Sequence, residues 1–268
     1  MYNKLKVKST ASDKPLGAKT IKNVHMNLLA AFDKAVEQDI LQKNPAERVE
    51  LPKAKRYKAD VYNKEEIKQL FELVKDTDLE LTMHILIFLG LRRGELVALR
   101  WRHIDFEKKT ANIIENAVSI KGEIIIKAPK SESGKREIKI PTNLMTLMKK
   151  AYTEYRLRKK EDKSIEDYVI TQKNGLPYHP DSMTDKIKRF LNNHPEIKRI
   201  RLHDFRHTSA TLMLQAGVSP KVAQKILGHA DFNTTMDIYS HVLEEMEQET
   251  ADKLDDIFSD EKPKKSKS

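Results

Sequence analysis

The hydrophobic period changes twice along this chain, and no other feature limits its fold as strongly. Between Ala111 and Ile140, β-branched residues gather in Asn112-Ile113-Ile114 and Ile124-Ile125-Ile126, and Glu137-Ile138-Lys139-Ile140 alternates charged with apolar. A two-residue period of this kind belongs to short strands, and Lys121-Gly122 and Ser131 to Gly134 supply turns between them. On both sides the apolar residues recur three and four apart, as on amphipathic helices. The expected fold class is α+β: a mostly helical domain with a small three-stranded antiparallel sheet.

The first helical stretch runs from Gly17 to Gln42, with Ile21, Val24, Leu28, Leu29, Phe32, Val36 and Ile40 on its apolar face, and stops before Asn44-Pro45. Leu51 to Lys58 is basic, contains proline and lacks periodicity, so it reads as a linker. Asn63 caps a helix from Lys64, Leu79 to Leu89 forms a strongly apolar helix ending at Gly90, and a third helix spans Arg93 to Leu99. After Pro141 the chain is helical again, interrupted at 173–177. His203 to Ala216 carries Leu202, Phe205, Leu212 and Ala216 as a buried stripe, and Ser219-Pro220 caps a short helix that ends at Gly228. The organisation expected is a partial helical domain with linker over 1–57, a second domain over 58–258, and a disordered basic tail over 259–268.

The 50 Lys and Arg outnumber the 40 Asp and Glu by ten, which favours an anionic partner, nucleic acid first. The chain has no cysteine, which excludes disulfides, thiolate metal sites and a cysteine nucleophile. No run approaches the ~18 apolar residues of a membrane span, and Met1 to Ser9 is polar rather than signal-like, so a cytoplasmic protein without membrane contact is expected.

Several residues have the chemistry for work on phosphates. Arg92 follows Gly90-Leu91 at a helix junction, a good place for a charge that points into a cleft; a solvated helix face is the plainer reading of Arg92-Arg93. His203 and Arg206, three apart on one helix, share a face and can reach one ligand; a buried hydrogen bond is the plainer reading of the histidine in an isolated His-x-x-Arg. His203 and His207 have zinc-ligand spacing, but Asp204 stands where a zinc hydrolase needs glutamate and no third ligand follows. His229 follows the Gly228 stop, and Tyr239 lies ten positions later in a segment able to present it to a substrate.

Taken together, Gly90-Leu91-Arg92-Arg93-Gly94-Glu95-Leu96, Leu202-His203-Asp204-Phe205-Arg206-His207-Thr208, and Leu227-Gly228-His229 with Ile238-Tyr239-Ser240-His241-Val242 resemble the motif boxes of the tyrosine recombinases, the integrases of phages and conjugative transposons. The likeness covers Val61 to Phe258. It implies that Tyr239 is the nucleophile, that Arg92 and Arg206 bind the scissile phosphate, and that His203 and His229 complete the histidines. It also implies a hairpin-turn lysine, matched to Lys130, with Lys127 and Lys135 as near alternatives. Glu95 would orient the arginines. Two guanidinium forks suit the charge that builds on a phosphate under attack, so neither metal nor other cofactor is called for. The phenol needs a proton acceptor, for which His203 is the candidate, and the departing 5′-oxygen needs a donor, for which a lysine serves.

By the same resemblance the partners are double-stranded DNA at recombination sites, three further copies in a tetramer, and an excisionase or host DNA-bending factor, in a bacterial cytoplasm near the nucleoid. Family members carry a complete core-binding domain ahead of the catalytic one; here residues up to about Lys58 look like its second half, so an N-terminal truncation is expected. Leu243 to Phe258, with Met246, Leu254 and Ile257, resembles the helix that docks on a neighbouring protomer, packing on its own domain being the alternative. Two other functions compete: a basic helical transcription factor, which leaves Tyr239 unexplained, and a type IB topoisomerase, which shares the chemistry without exchanging strands.

Overall fold

A computed structural model describes residues 15–53, 59–129 and 134–228, together with 236, 238–240, 242, 243, 251 and 254. The expected tail over 259–268 and the turn residues Ser131 to Ser133 lie outside the described residues, as does most of Leu243 to Phe258. The chain divides into two compact units, Met1–Lys58 and Ala59–Ser268.

In the first unit, helix α1 (Ala18–Glu37) buries Ile21 and His25. It ends five residues before the expected Gln42, because Asp39 turns left-handed (φ 56°) and Ile40 comes out 69% exposed rather than joining the apolar face. Asn44 then folds the chain back: its amide donates to the Leu29 carbonyl and to Asp33 Oδ1, and its own oxygen accepts the Ala46 N–H.

The second unit begins with α2 (Lys64–Val74), closed by a capping box in which Asn63 and Glu66 bond each other's backbone N–H at 2.8 Å. Helix α3 (Glu80–Leu89) is apolar almost all round and buries Met83, Ile85, Leu86, Ile87 and Leu89. A helix with that surface has to be surrounded, and α2, α5 (Thr142–Glu161) and α7 (Leu202–Gln215) pack on it. Between them come α4 (Arg93–Ala98), a 3-10 turn (Trp101–His103) and the strands; α6 (Pro180–Asn193) precedes α7, and α8 (Pro220–Leu227) follows it.

The mostly helical α+β fold is as expected, with a change in how its strands pair. The three-stranded antiparallel sheet has the order β1 (Ile104–Asp105), β2 (Thr110–Ile113), β5 (Arg136–Lys139). Ile124 to Ile126 belong instead to a separate hairpin, β3 (Asn116–Ile120) with β4 (Glu123–Lys127), turned at Lys121 and Gly122, both with positive φ. Strand propensity identifies such segments but not their partners, which are set by register and turn.

Helix α7 departs from a simple amphipathic stripe. It buries Leu202, Phe205, Ala210 and Leu214, and equally Asp204, Arg206, Thr208, Ser209 and Thr211. Leu212 is only half-buried and Ala216, just past the helix, is exposed. Of the buried polar residues, Arg206 belongs to the site described next, Asp204 pairs with Arg201, and the Thr208 hydroxyl accepts the Tyr62 N–H. Ser219 stands at the N-cap of α8 with Pro220 first in the helix, though its side chain makes no capping bond. Leu214, Ala223 and Val242 form a small second core against which Met213, Val218, Ile238 and Tyr239 pack. No helix among the described residues is long and apolar enough to cross a membrane.

Candidate active site

Gly90 ends α3 in the left-handed conformation (φ 57°), and the chain turns so that Arg92 becomes the extended N-cap of α4. Glu95, one turn on and 2% exposed, grips that residue twice. Its Oε2 accepts the Arg92 backbone N–H at 2.9 Å, and its Oε1 accepts the guanidinium Nη1 at 2.6 Å. The next residue inward is unusually tight: a Cβ on Gly94 would lie 2.3 Å from Asn116 Oδ1 and 2.4 Å from the Ala117 carbonyl, so only glycine lets β3 approach α4 this closely.

A second guanidinium reaches Glu95 from the opposite side. Arg136, first residue of β5, donates Nη2 to Oε2 at 2.8 Å and Nη1 to Oε1 at 3.1 Å. Burial alone would raise the carboxyl pKa; the Arg136 hydrogen bonds and charge, joined by those of Arg92, carry it down to about 2. Arg206, 2% exposed, completes the cluster and donates to the Gly90 carbonyl at 2.7 Å. Burial and the neighbouring Arg92 charge press its pKa down to about 9, so it remains a cation at neutral pH.

The three arginines also meet at the carboxyl end of α8, on successive carbonyls. Arg136 Nε donates to Ile226 at 2.6 Å, Arg206 Nη2 to Leu227, and Arg92 Nη2 to Gly228 at 2.5 Å. A helix end leaves these carbonyls unpaired within the helix and slightly negative, which suits cationic donors. Among the described residues one carboxylate meets three guanidiniums, which leaves the cluster with surplus positive charge.

Arg92 carries that charge toward solvent. The Arg92 side chain is 37% exposed, against 3% for Arg136. Arg92 lines a cleft of about 520 Å³ with Gly94, Asn116 to Ser119, Pro180, Asp181 and His203. Arg93, its neighbour in sequence, lines the same cleft and forms an exposed pair with Asp181 at 2.5 Å. His203 stands at the rim, its ring edge-on to His207 with centroids 5.0 Å apart. Protein packed around the ring, then the His207 and Arg206 charges, lower its pKa to about 4, so the imidazole is neutral at physiological pH and able to accept a proton. Asp204, at the glutamate position of a zinc-hydrolase helix, is fully engaged at the start of α7, accepting the Arg201 backbone N–H and both arms of its guanidinium at 3.0 to 3.1 Å.

The structure thus brings Arg92, Glu95, Arg206 and His203 into one region. Tyr239 is helical and half-buried against the cluster of Leu214 from α7, Ala223 from α8 and Val242. His229 and Lys130 lie outside the described residues. Of the alternative lysines, Lys127 ends β4 exposed, and Lys135 lines a second cleft of about 700 Å³ with Arg136, Lys221, Lys225 and Gly228. Arg136 was absent from the residues expected at the site. Its signal was there: carrying the Ile140, Ile138 alternation back one more step along β5 puts position 136 on the inward face.

The architecture around this cluster is that of a class of DNA recombinases. The Tn1549 transposon integrase in complex with transposon right end DNA superposes with a TM-score of 0.73, covering 87% of this chain and 80% of that one at 24% identity. The XerH site-specific recombinase bound to its palindromic difH substrate does so at 0.66, over 93% and 70%, at 20% identity. The family model described as "Phage integrase family" matches residues 61–246. The ICEBs1 integrase of Bacillus subtilis (strain 168) is 31% identical over 252 residues, 91% of this chain and 67% of that protein. The transposase from transposon Tn916 of Enterococcus faecalis is 28% identical over 271 residues, 89% of this chain and 66% of that one. The chain belongs to the phage integrase family, and its enzyme class is that of the tyrosine recombinases.

Proposed function

We propose that this chain cuts and rejoins double-stranded DNA at specific sites through a covalent bond to Tyr239, in the integration and excision of a mobile element. The observation that carries the reading is the surplus of guanidinium over carboxylate around Glu95, opened to a cleft through Arg92 with a neutral His203 on its rim. Such a site attracts one phosphate diester and stabilises the charge that grows on its non-bridging oxygens under attack.

In the proposed step the Tyr239 phenolic oxygen bonds to phosphorus while the bond to the 5′-oxygen breaks. His203 takes the phenolic proton, and a hairpin lysine, Lys130 with Lys127 and Lys135 as alternatives, protonates the departing 5′-oxygen. Arg92 and Arg206 hold the phosphate with His229. One phosphoester replaces another, so a 5′-hydroxyl from a second strand reverses the reaction without ATP. The Met1–Lys58 unit serves as a helical core-binding domain, and four copies assemble on two DNA sites, aided by an excisionase or a host bending factor, in the bacterial cytoplasm. Complexes of related integrases with DNA, among them the Tn1549 enzyme with transposon right end DNA, support the choice of partner.

The test uses a nicked DNA half-site in EDTA, run on a denaturing gel with wild type and Tyr239→Phe. A covalent adduct in wild type that vanishes in the variant is expected. An adduct that persists in the variant would assign the nucleophile elsewhere.

A further inference from the structure

Arg136 is the one guanidinium of the cluster for which the proposed reaction has no use, and its donors are taken up by the protein. Its side chain is 3% exposed. Four hydrogen bonds occupy it: two fork onto Glu95, one runs from Nε to the Ile226 carbonyl, and one from Nη1 to the Gly134 carbonyl at 3.1 Å. Three of the four lead to an element that also holds Arg92. Glu95 Oε1 is shared between Arg136 and Arg92, and Ile226 stands two residues before Gly228, whose carbonyl receives Arg92 Nη2.

We infer that Arg136 is a positioning residue that fixes Arg92 for phosphate binding, by locking the Glu95 carboxylate on one side and the end of α8 on the other. The inference rests on Arg92 being a phosphate ligand, as proposed above. Without Arg136 the carboxylate keeps a single partner and is free to turn about its side-chain torsions, taking Arg92 with it. Lysine is no replacement, since one ammonium cannot fork across both carboxylate oxygens while also reaching Ile226.

The experiment is single-turnover cleavage of the half-site by Arg136→Lys, with DNA affinity measured in parallel. Affinity is expected to stay within about threefold, because phosphate contacts along the whole DNA supply it. The cleavage rate should fall about 10²-fold, the scale of loss when a charge-stabilising group is displaced by an ångström. A second substrate separates positioning from general damage: one non-bridging oxygen of the scissile phosphate is replaced by methyl, which removes the charge Arg92 holds. On it the gap between wild type and Arg136→Lys should shrink to about threefold or less, whereas a merely structural lesion slows both substrates alike.

Should Arg136→Lys lose its fold, Arg136→Gln removes the buried charge but keeps Glu95 on Arg92, and its amide can donate to Glu95 or to Ile226 but not fork across both. That variant should show the same substrate-dependent loss. Wild-type cleavage by either variant, or an equal loss on both substrates, overturns the inference. Tyr239→Phe serves as the control: if it keeps the adduct, the reading of the site fails instead.

Discussion

Two arginine networks lie in the second unit, and they are built to opposite balances. Around Glu95, three guanidiniums share one carboxylate and complete their bonding on backbone carbonyls at 226–228. Around Asp167, two guanidiniums meet three carboxylates: Arg100 bonds Glu115 at 2.9 Å and Asp167 at 2.8 Å with Glu166 at 3.7 Å, and Arg102 takes Asp167 at 2.5 and 2.7 Å. Arg100 also donates to the Tyr168 hydroxyl and lies over that ring at 4.0 Å. Beside it the backbone pairs Trp101 with Asp167 and Leu99 with Val169. The Asp167 network joins three chain segments and has more carboxylates than guanidiniums, whereas among the described residues the Glu95 network sets three guanidiniums around one carboxylate. An excess of guanidinium of that kind suits an incoming anion.

The largest expected effect tests that contrast directly. Glu95→Ala strands Arg136 in the interior and should lower unfolding free energy in urea by about 3–5 kcal/mol, the range for breaking a buried pair from one side. A loss below about 1 kcal/mol would mean that the backbone carbonyls alone hold the arginines.

An intermediate effect follows pH. The His203 pKa lies near 4 in the fold against 6.5 for the free side chain, so an unfolded chain takes up the proton first. Stability contributed by this histidine is therefore complete above pH 6.5 and is lost progressively as pH falls toward 4. Against His203→Gln, wild type should lose ground across that window, and the ring resonance should titrate with a midpoint near 4. A midpoint near 6.5 would show that the packing around the ring and the His207 and Arg206 charges do not depress it.

The smallest effect belongs to the carboxylate-rich network. The Arg102 side chain is 61% exposed, and Arg102→Ala should cost about 0.2–1 kcal/mol in the same urea assay, as exposed pairs do. A much larger loss would make the Asp167 network as critical to the fold as the Glu95 one.

How much of this was legible beforehand depended on whether a feature was local. The α3 helix and its stop at Gly90, the Asn63 cap and the Lys121-Gly122 turn are each encoded within a few residues, and each stands where expected. The partner of Ile124 to Ile126 depends on register across a turn, and the early end of α1 on Asp39 taking a left-handed conformation. Arg136 was hidden for a different reason. A charged residue counts as a surface residue until its partners are known, and these, Glu95 and Ile226, lie 41 residues before it and 90 after. The motif boxes drew notice to Arg92 and Arg206, which have to face a ligand, and passed over the arginine behind them.

Three arginines from distant parts of the chain take three consecutive carbonyls, so the number of residues in α8 acts as a gauge block. Removing one residue between Pro220 and Leu227 would turn the helix end by about 100° and draw it back ~1.5 Å. All three guanidiniums would lose their seats at once, although no residue that touches them had been altered. The spacing from Ser219 to Gly228 should thus tolerate changes of side chain far better than any change of length.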